Sequence, residues 1–213
     1  MPRFPSARAY SAIAGRFGAV LLLALAACES DSTGGGDPIP PDEFSAIRLD
    51  DDAPPLCAMS VSFVAQRGAS SEGELDFCDP VTGDPIDDFL EFDVGSNSLL
   101  RRPDGTLFAP GDTITITITV VDPRRLIFEF QPSGLVFDPS DPAELEISYR
   151  NCDRDFDEDG DEDSDDLEIE QLLTIFRQEN PGDPWVPIGS AVIDDIDEVE
   201  AELVGFTRYA IAY

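Results

Sequence analysis

The chain has 213 residues and contains neither histidine nor lysine; all 13 basic residues are arginine. Without histidine there is no Ser-His-Asp triad and no ordinary imidazole zinc site. Without lysine there is no Schiff-base nucleophile. Cysteine is scarce, four in all, and no imidazole is there to activate any of them. Tryptophan occurs once, at Trp185, and is expected as a packing residue rather than a sugar platform. Positive charge is short: 45 acidic residues stand against the 13 arginines, a net charge of −32. That field repels phosphate backbones and anionic membrane surfaces, so nucleic acid is no expected partner. Carboxylates are so common that any pair of them says nothing about acid–base catalysis. A non-enzymatic protein is expected.

The N-terminus carries an address. Arg3, Arg8 and Arg16 precede an apolar run of eleven residues at 17–27, FGAVLLLALAA. That length suits a signal peptide and is too short to span a bilayer as a mature helix. The run ends Leu25-Ala26-Ala27-Cys28, which resembles the lipobox of bacterial lipoproteins. The resemblance implies cleavage after residue 27 and lipidation of Cys28. Several acyl chains would anchor the protein stably, whereas one chain binds only marginally. Glu29 follows in place of an inner-membrane retention aspartate, so an outer membrane is the favoured destination where one exists. Cleavage removes three arginines and no acids, leaving 10 − 45 = −35. The stretch at 29–43, ESDSTGGGDPIPPDE, has the composition of a linker and is expected to be a tether with nothing to pack.

Beyond residue 44 the pattern is β. In the stretch 112–122, DTITITITVVD, Ile114, Ile116, Ile118 and Val120 face one way and the threonines the other. A period of two in β-branched residues marks a half-buried antiparallel strand. Similar alternation predicts strands at 59–66, 88–94, 126–130, 144–149, 199–203 and 207–213. Turn signals such as Pro103-Asp104-Gly105, Ala109-Pro110-Gly111 and Asn180-Pro181-Gly182 lie between them. Many short strands at this spacing predict an all-β antiparallel sandwich over 44–213. The segment 165–178 fits either element. Ile169, Leu172, Leu173 and Phe176 lie on one helical face, with Asp165 and Glu168 as a capping box, yet Leu173 and Ile175 also fit a strand.

From residue 100 onward the succession of motifs resembles the zonula-occludens/uncoordinated-type (ZU-five) domain. GTLFAPGDTITITITV is similar to that family's opening turn and Thr/Ile strand, and FEFQPSGLVFDPSDPAELEISY to its central pattern. WVPIGSAVIDD resembles its Trp-containing strand and GFTRYAIAY its closing strand. The resemblance implies a β-sandwich used for protein contacts, and it favours strand over helix at 165–178. Some relatives cut themselves at His-Phe-Ser in the last hairpin. The matching positions here are Gly205-Phe206-Thr207, which lack the base, so no self-cleavage is expected.

Besides Cys28 three cysteines remain, Cys57, Cys78 and Cys152, and any one pair can close outside the cytoplasm. Cys57 and Cys152 each flank a predicted strand where sandwich ends meet, so that pair is expected. The densest chemistry lies at 153–166, DRDFDEDGDEDSDD, with ten carboxylates in fourteen positions. Numbering from Asp155, the loop places Asp157 at position 3, Asp159 at 5, Gly160 at 6, the Asp161 carbonyl at 7, Asp163 at 9 and Asp166 at 12. Those are the EF-hand calcium positions, and an aspartate at 12 is closer to dockerin-type loops. Two features depart from that pattern: Glu162 occupies the usually aliphatic position 8, and the entering segment ELEISYRNC reads as strand. The competing reading is an acidic insertion held open by its own repulsion. Two functions follow: a lipid-anchored, extracytoplasmic structural or protein-binding sandwich, or a calcium-dependent surface-binding module with an envelope polysaccharide as candidate ligand.

Overall fold

Alternation governs the chain's architecture. In strand β5 (Thr113–Asp122) Ile116, Ile118 and Val120 are buried while the threonines between them turn outward. A computed structural model of the protein describes residues 36–122, 124–193 and 197–213. The expected signal peptide at 1–27, the expected lipidation site Cys28 and the first part of the expected linker lie outside the described residues. The strands run in the order β1 (Ser60–Gln66), β2 (Ser71–Cys78), β3 (Pro85–Val94), β4 (Leu99–Arg101), β5, β6 (Ile127–Gln131), β7 (Val136–Phe137) and β8 (Ala143–Ser148). A helix, α1 (Ser164–Glu170), then precedes β9 (Thr174–Gln178), β10 (Val186–Pro187), β11 (Ser190–Ile193), β12 (Glu198–Leu203) and β13 (Arg208–Ala212).

The two main sheets are antiparallel and pack face to face as a β-sandwich. One has the order β1-β5-β6-β13-β9-β10, the other β11-β12-β8-β3-β2, and β4 pairs with β7 in a small third sheet. Aromatic rings join the inner faces. Phe92 of β3 meets Phe130 of β6 at 5.3 Å, edge to face, and lies 5.4 Å from Phe206 just before β13. Phe137 of β7 closes on Phe206 at 5.0 Å. Edge-to-face pairs of this kind add about 0.5–1.5 kcal/mol each beyond the area they bury. Among the described residues no helix is long and apolar enough to cross a membrane.

Two expectations need correction. The linker does not stay free to residue 43. Ile39 exchanges two backbone hydrogen bonds with Trp185, each 2.8 Å, and Phe44 stacks on the Trp185 ring at 4.4 Å. Phe176, Ala210 and Ala212 complete this second apolar cluster. Tyr209 and Ile211 of β13 point into the main core, so Ala210 and Ala212 lie on the sheet's outer face. Residues 37–50 therefore form a strap over that face, continuing through Ile47, whose N–H donates to Ile211 O, and Leu49, whose N–H donates to Arg124 O.

The disulfide joins Cys57 to Cys78, not to Cys152. Cys57 N–H donates to Asp76 O and Cys78 N–H to Pro55 O, which lays residues 55–57 beside the end of β2. That brings the two Cα atoms to 5.0 Å, within bridging range. Cys152 is a buried free thiol opposite Leu49.

The outer face of the five-stranded sheet is a carboxylate ladder. Register aligns Glu200, Glu146, Glu91 and Glu74 in one row across four strands, and Glu202, Glu144, Asp93 and Glu72 in the next. Like charges directly opposite each other destabilise a sheet. Partial burial, then repulsion from Asp93, Glu146, Glu74 and Asp88, raises the Glu91 carboxyl to about 7. Burial and neighbouring carboxylates also raise Glu74, Asp76, Glu146 and Glu198.

Two predictions follow from this packing. Phe92→Ala removes the ring that touches both sheets and costs about 3–5 kcal/mol, read as a shift in the denaturant midpoint. The raised carboxyls bind protons more tightly folded than unfolded. The stability these raised groups contribute is therefore fully present below the ordinary carboxylate range and is lost as pH rises through about 7. Melting curves at constant salt between pH 5 and 8 check this, and Glu91→Gln should flatten the upper part of the slope. A melting temperature that rises across that window contradicts it.

Candidate metal centre

The acidic loop hangs between β8 and α1. Its entry is set by pairing with the strap: Asp50 N–H donates to Asn151 O, and Asp153 N–H to Arg48 O. Its exit is a helix, which corrects the strand expected throughout 165–178: residues 164–170 are helical and 174–178 are strand. Helix wins at the first turn because Asp163 caps it. The Asp163 carboxylate accepts from Asp165 N–H at 2.7 Å, and Asp166 at N3 accepts from Asp163 N–H at 2.9 Å. This capping box sits two residues before the one read from Asp165 and Glu168.

Between entry and exit the backbone wraps around carboxylates. Asp155 accepts from the N–H groups of Asp159 and Gly160, both at 3.0 Å. Asp157 also accepts from Asp159 N–H, at 3.1 Å. Gly160 has φ +102°, a conformation that side chains with a Cβ rarely adopt. The helix then carries Asp166 back under the loop, where it accepts from Phe156 N–H at 2.7 Å and Asp157 N–H at 3.3 Å. Phe156 is buried in the main core and pins the loop between its first and third positions.

Three of the six expected ligands converge. Asp155, Asp157 and Asp166 each offer an oxygen within 4.8 Å of the others. Oxygens on opposite sides of one calcium ion lie about 4.6–5.2 Å apart, so this spacing fits a shared ion. Asp159, Asp161 and Asp163 stand outside that group: Asp159 accepts from Asp161 N–H, and Asp163 is committed to the helix cap.

Electrostatics separates these groups. Three N–H donors, that of Asp163 first, hold the Asp166 carboxyl below the usual carboxylate range. Asp157 lies above that range. The N–H of Asp159 works against the rise, but lost solvation and the charges of Asp159, Asp166 and Asp155 outweigh it. Repulsion from Asp159 and Asp163 likewise pushes Asp161 up. A bound cation would reverse the sign of that field.

Two further acidic triplets, Glu72/Glu74/Glu91 and Glu146/Glu198/Glu200, lie on the ladder. Strand register alone brings them together on a sheet face. At the loop, backbone N–H groups and a helix start also shape the approach. Sequence spacing identified the loop; the ladder escaped notice because its members are distant in sequence and meet only through strand order.

The remaining expectation concerned Thr207. Its hydroxyl donates to the carbonyls of Gln178 and Glu179, and the Tyr209 hydroxyl donates to Gly205 O. No family, no characterised protein and no solved structure matches this chain.

Proposed function

We propose that the protein is a lipid-anchored, extracytoplasmic β-sandwich that binds calcium through residues 155–166 and serves as a non-enzymatic binding module of the cell envelope. One observation carries the calcium reading. The loop holds Asp155, Asp157 and Asp166 within one ion's reach while Gly160 and the capped helix turn the chain around them. Calcium takes six to eight oxygens in flexible geometry, and position 7 of such a loop supplies a backbone carbonyl, here that of Asp161. Position 9 of such loops often ligates through a water, which would let Asp163 take part without leaving the helix cap. The non-enzymatic reading is supported by Thr207, a buried residue whose hydroxyl proton is committed to two carbonyls.

The metal-indifferent protein-contact reading, which the ZU-five resemblance implies, has one observation of its own. Ser60 and Ser62 of β1 face Thr119 and Thr117 of β5, and the hydroxyls bond across the strands at 3.2 and 2.8 Å. With exposed Val64 they make an uncharged outer surface on a strongly acidic protein. A partner retained equally with and without chelator favours this face; one released by chelator favours the loop.

Anchoring is tested by Cys28→Ala, which should move the protein out of the membrane fraction or leave its precursor unprocessed. An unmodified mature N-terminus by intact mass contradicts it. For the metal, calorimetry should show one calcium bound with a dissociation constant of about 10⁻⁴–10⁻³ M, as in other extracellular modules. At about 10 mM calcium that affinity stabilises the fold by about 1.4–2.7 kcal/mol, seen as a higher melting temperature. Asp157→Asn should weaken binding about tenfold or more. Absence of both heat and melting shift in the wild type would leave the run a solvated insertion.

A further inference from the structure

A sheet edge presents unpaired backbone N–H and C=O groups, and proteins protect such edges with charge, proline, shortness or a covering segment. Three of the four edges of the two main sheets are protected in these ways. At β10 the strap takes the edge: Ile39 exchanges both backbone hydrogen bonds with Trp185, and Pro187 has no N–H to offer. β2 carries Glu72, Glu74 and Asp76, and residues 55–57 run along its end. β11 is a strand of four residues whose Ser190 hydroxyl is bonded to that of Thr174. β1 has none of these protections. It ends the six-stranded sheet and keeps register with β5 without a shift from Ser60 to Gln66. It also lies in a stretch, 53–66, that contains no charged residue in a chain of net charge −32. Among the described residues nothing pairs with its open side.

The groups on that side can be named. Met59 O accepts from Val120 N–H, and Arg67 N–H donates to Asp112 O. Alternate residues of an antiparallel strand turn their backbone groups the same way. Val61, Phe63 and Ala65 therefore bond to β5, and Ser60, Ser62 and Val64 turn their N–H and C=O groups outward. Both ends of this window are closed, since Cys57 N–H donates to Asp76 O and Gln66 O accepts from Ala69 N–H. The window is symmetric about Ser62. We propose that two copies of this chain join antiparallel along β1, about a two-fold axis at Ser62, so that their six-stranded sheets become one. Ser60 then faces Val64 of the second copy and Ser62 faces its own equivalent, and every outward N–H meets a carbonyl. On the inner face Val61 lies opposite Phe63 of the second copy. Both residues pack against the core yet stay partly exposed, and pairs of an aromatic with a β-branched residue are favourable across strands. The contact is isologous, as a two-fold requires. It does not depend on calcium.

Charge explains why the second copy uses this strand. Two strongly acidic chains repel, and the neutral stretch 53–66 lets them meet with no carboxylate in the seam. A contact along one strand buries less than the roughly 1,200 Å² of a stable interface, so association is weak and concentration-dependent. Sedimentation of the full chain in excess detergent micelles should show a monomer–dimer equilibrium. Screening should tighten it about tenfold between roughly 0.05 and 0.5 M salt, the reverse of an interface built on ion pairs. Under mild oxidation Ser62→Cys should cross-link to itself, because directly opposed residues of such a pair have Cα atoms about 5.5 Å apart. Ser60→Cys alone should not cross-link, but should do so when mixed with Val64→Cys. Ser62→Pro removes only an N–H that β5 does not use and should abolish the dimer. Val64→Glu, at an exposed position, should weaken it about tenfold or more and covers the case in which the proline variant does not fold. A wild type that stays monomeric up to about 1 mM at high salt overturns the proposal. So does a dimer that ignores both variants and does not cross-link through Ser62→Cys, or a monomer whose Ser62 and Val64 amides are already protected from hydrogen exchange by another part of the chain.

Discussion

The sandwich rests on the contact in which Phe92, from one sheet, packs against Phe130 and Phe206 from the other side of the core. A chain with net charge −32 is pushed apart by its own field. What opposes that push is apolar area and ring packing, and here it is concentrated in phenylalanine. Phe77, Phe89, Phe92, Phe128, Phe130 and Phe137 are all fully buried. Because every second residue of a strand points inward, the same strands can spend their other positions on carboxylates. The acidic exterior and the aromatic interior are two faces of one alternation.

Carboxylates crowd together in this protein in two different ways, with different consequences. On the five-stranded sheet, strand order aligns glutamates from four strands, and partial burial raises several of them. There the proton is the ready counter-charge, and the cost is a fold that loosens as pH rises. In the 155–166 loop the backbone itself turns N–H groups onto Asp155, Asp157 and Asp166. Those donors keep Asp166 ionised and hold the loop curved around its acidic centre. Both arrangements bring three carboxylate oxygens within 4.8 Å of one another, but only in the loop do backbone N–H groups and a capped helix shape their placement.

How far all this was legible in the sequence depends on the kind of signal. Strands rich in Ile, Thr, Phe and Val announced themselves: β1, β5, β6 and β8 start and end within a residue or so of their expected limits. β2 did not. Its sequence SEGELDFC has Gly73 at an inward position, where a Cβ would run into the Phe63 ring, so the apolar alternation is broken where packing is tightest. Missing β2 also hid the true partner of Cys57, since Cys78 ends that strand. In the loop, residue spacing pointed to Asp155, Asp157, Asp159, Asp161, Asp163 and Asp166, of which only Asp155, Asp157 and Asp166 bring oxygens within 4.8 Å of one another. It could not show that Asp163 serves as a helix cap, nor that the segment after it divides into helix and strand. The linker's composition concealed Ile39 among Ser, Gly and Pro; that residue pairs with Trp185 through the backbone, beside the ring of Phe44 just beyond the expected linker.

The strap bears on the relation between the chain's two ends. Ile47 hydrogen-bonds to Ile211, two residues from the C-terminus, and Tyr213 reaches the loop at Phe156. The first docked segment, the last strand and the acidic loop therefore meet at one corner of the sandwich. A corner closed by a loop of like charges is weaker than the Phe-rich core behind it. Local opening draws on such weakly held elements well before global unfolding.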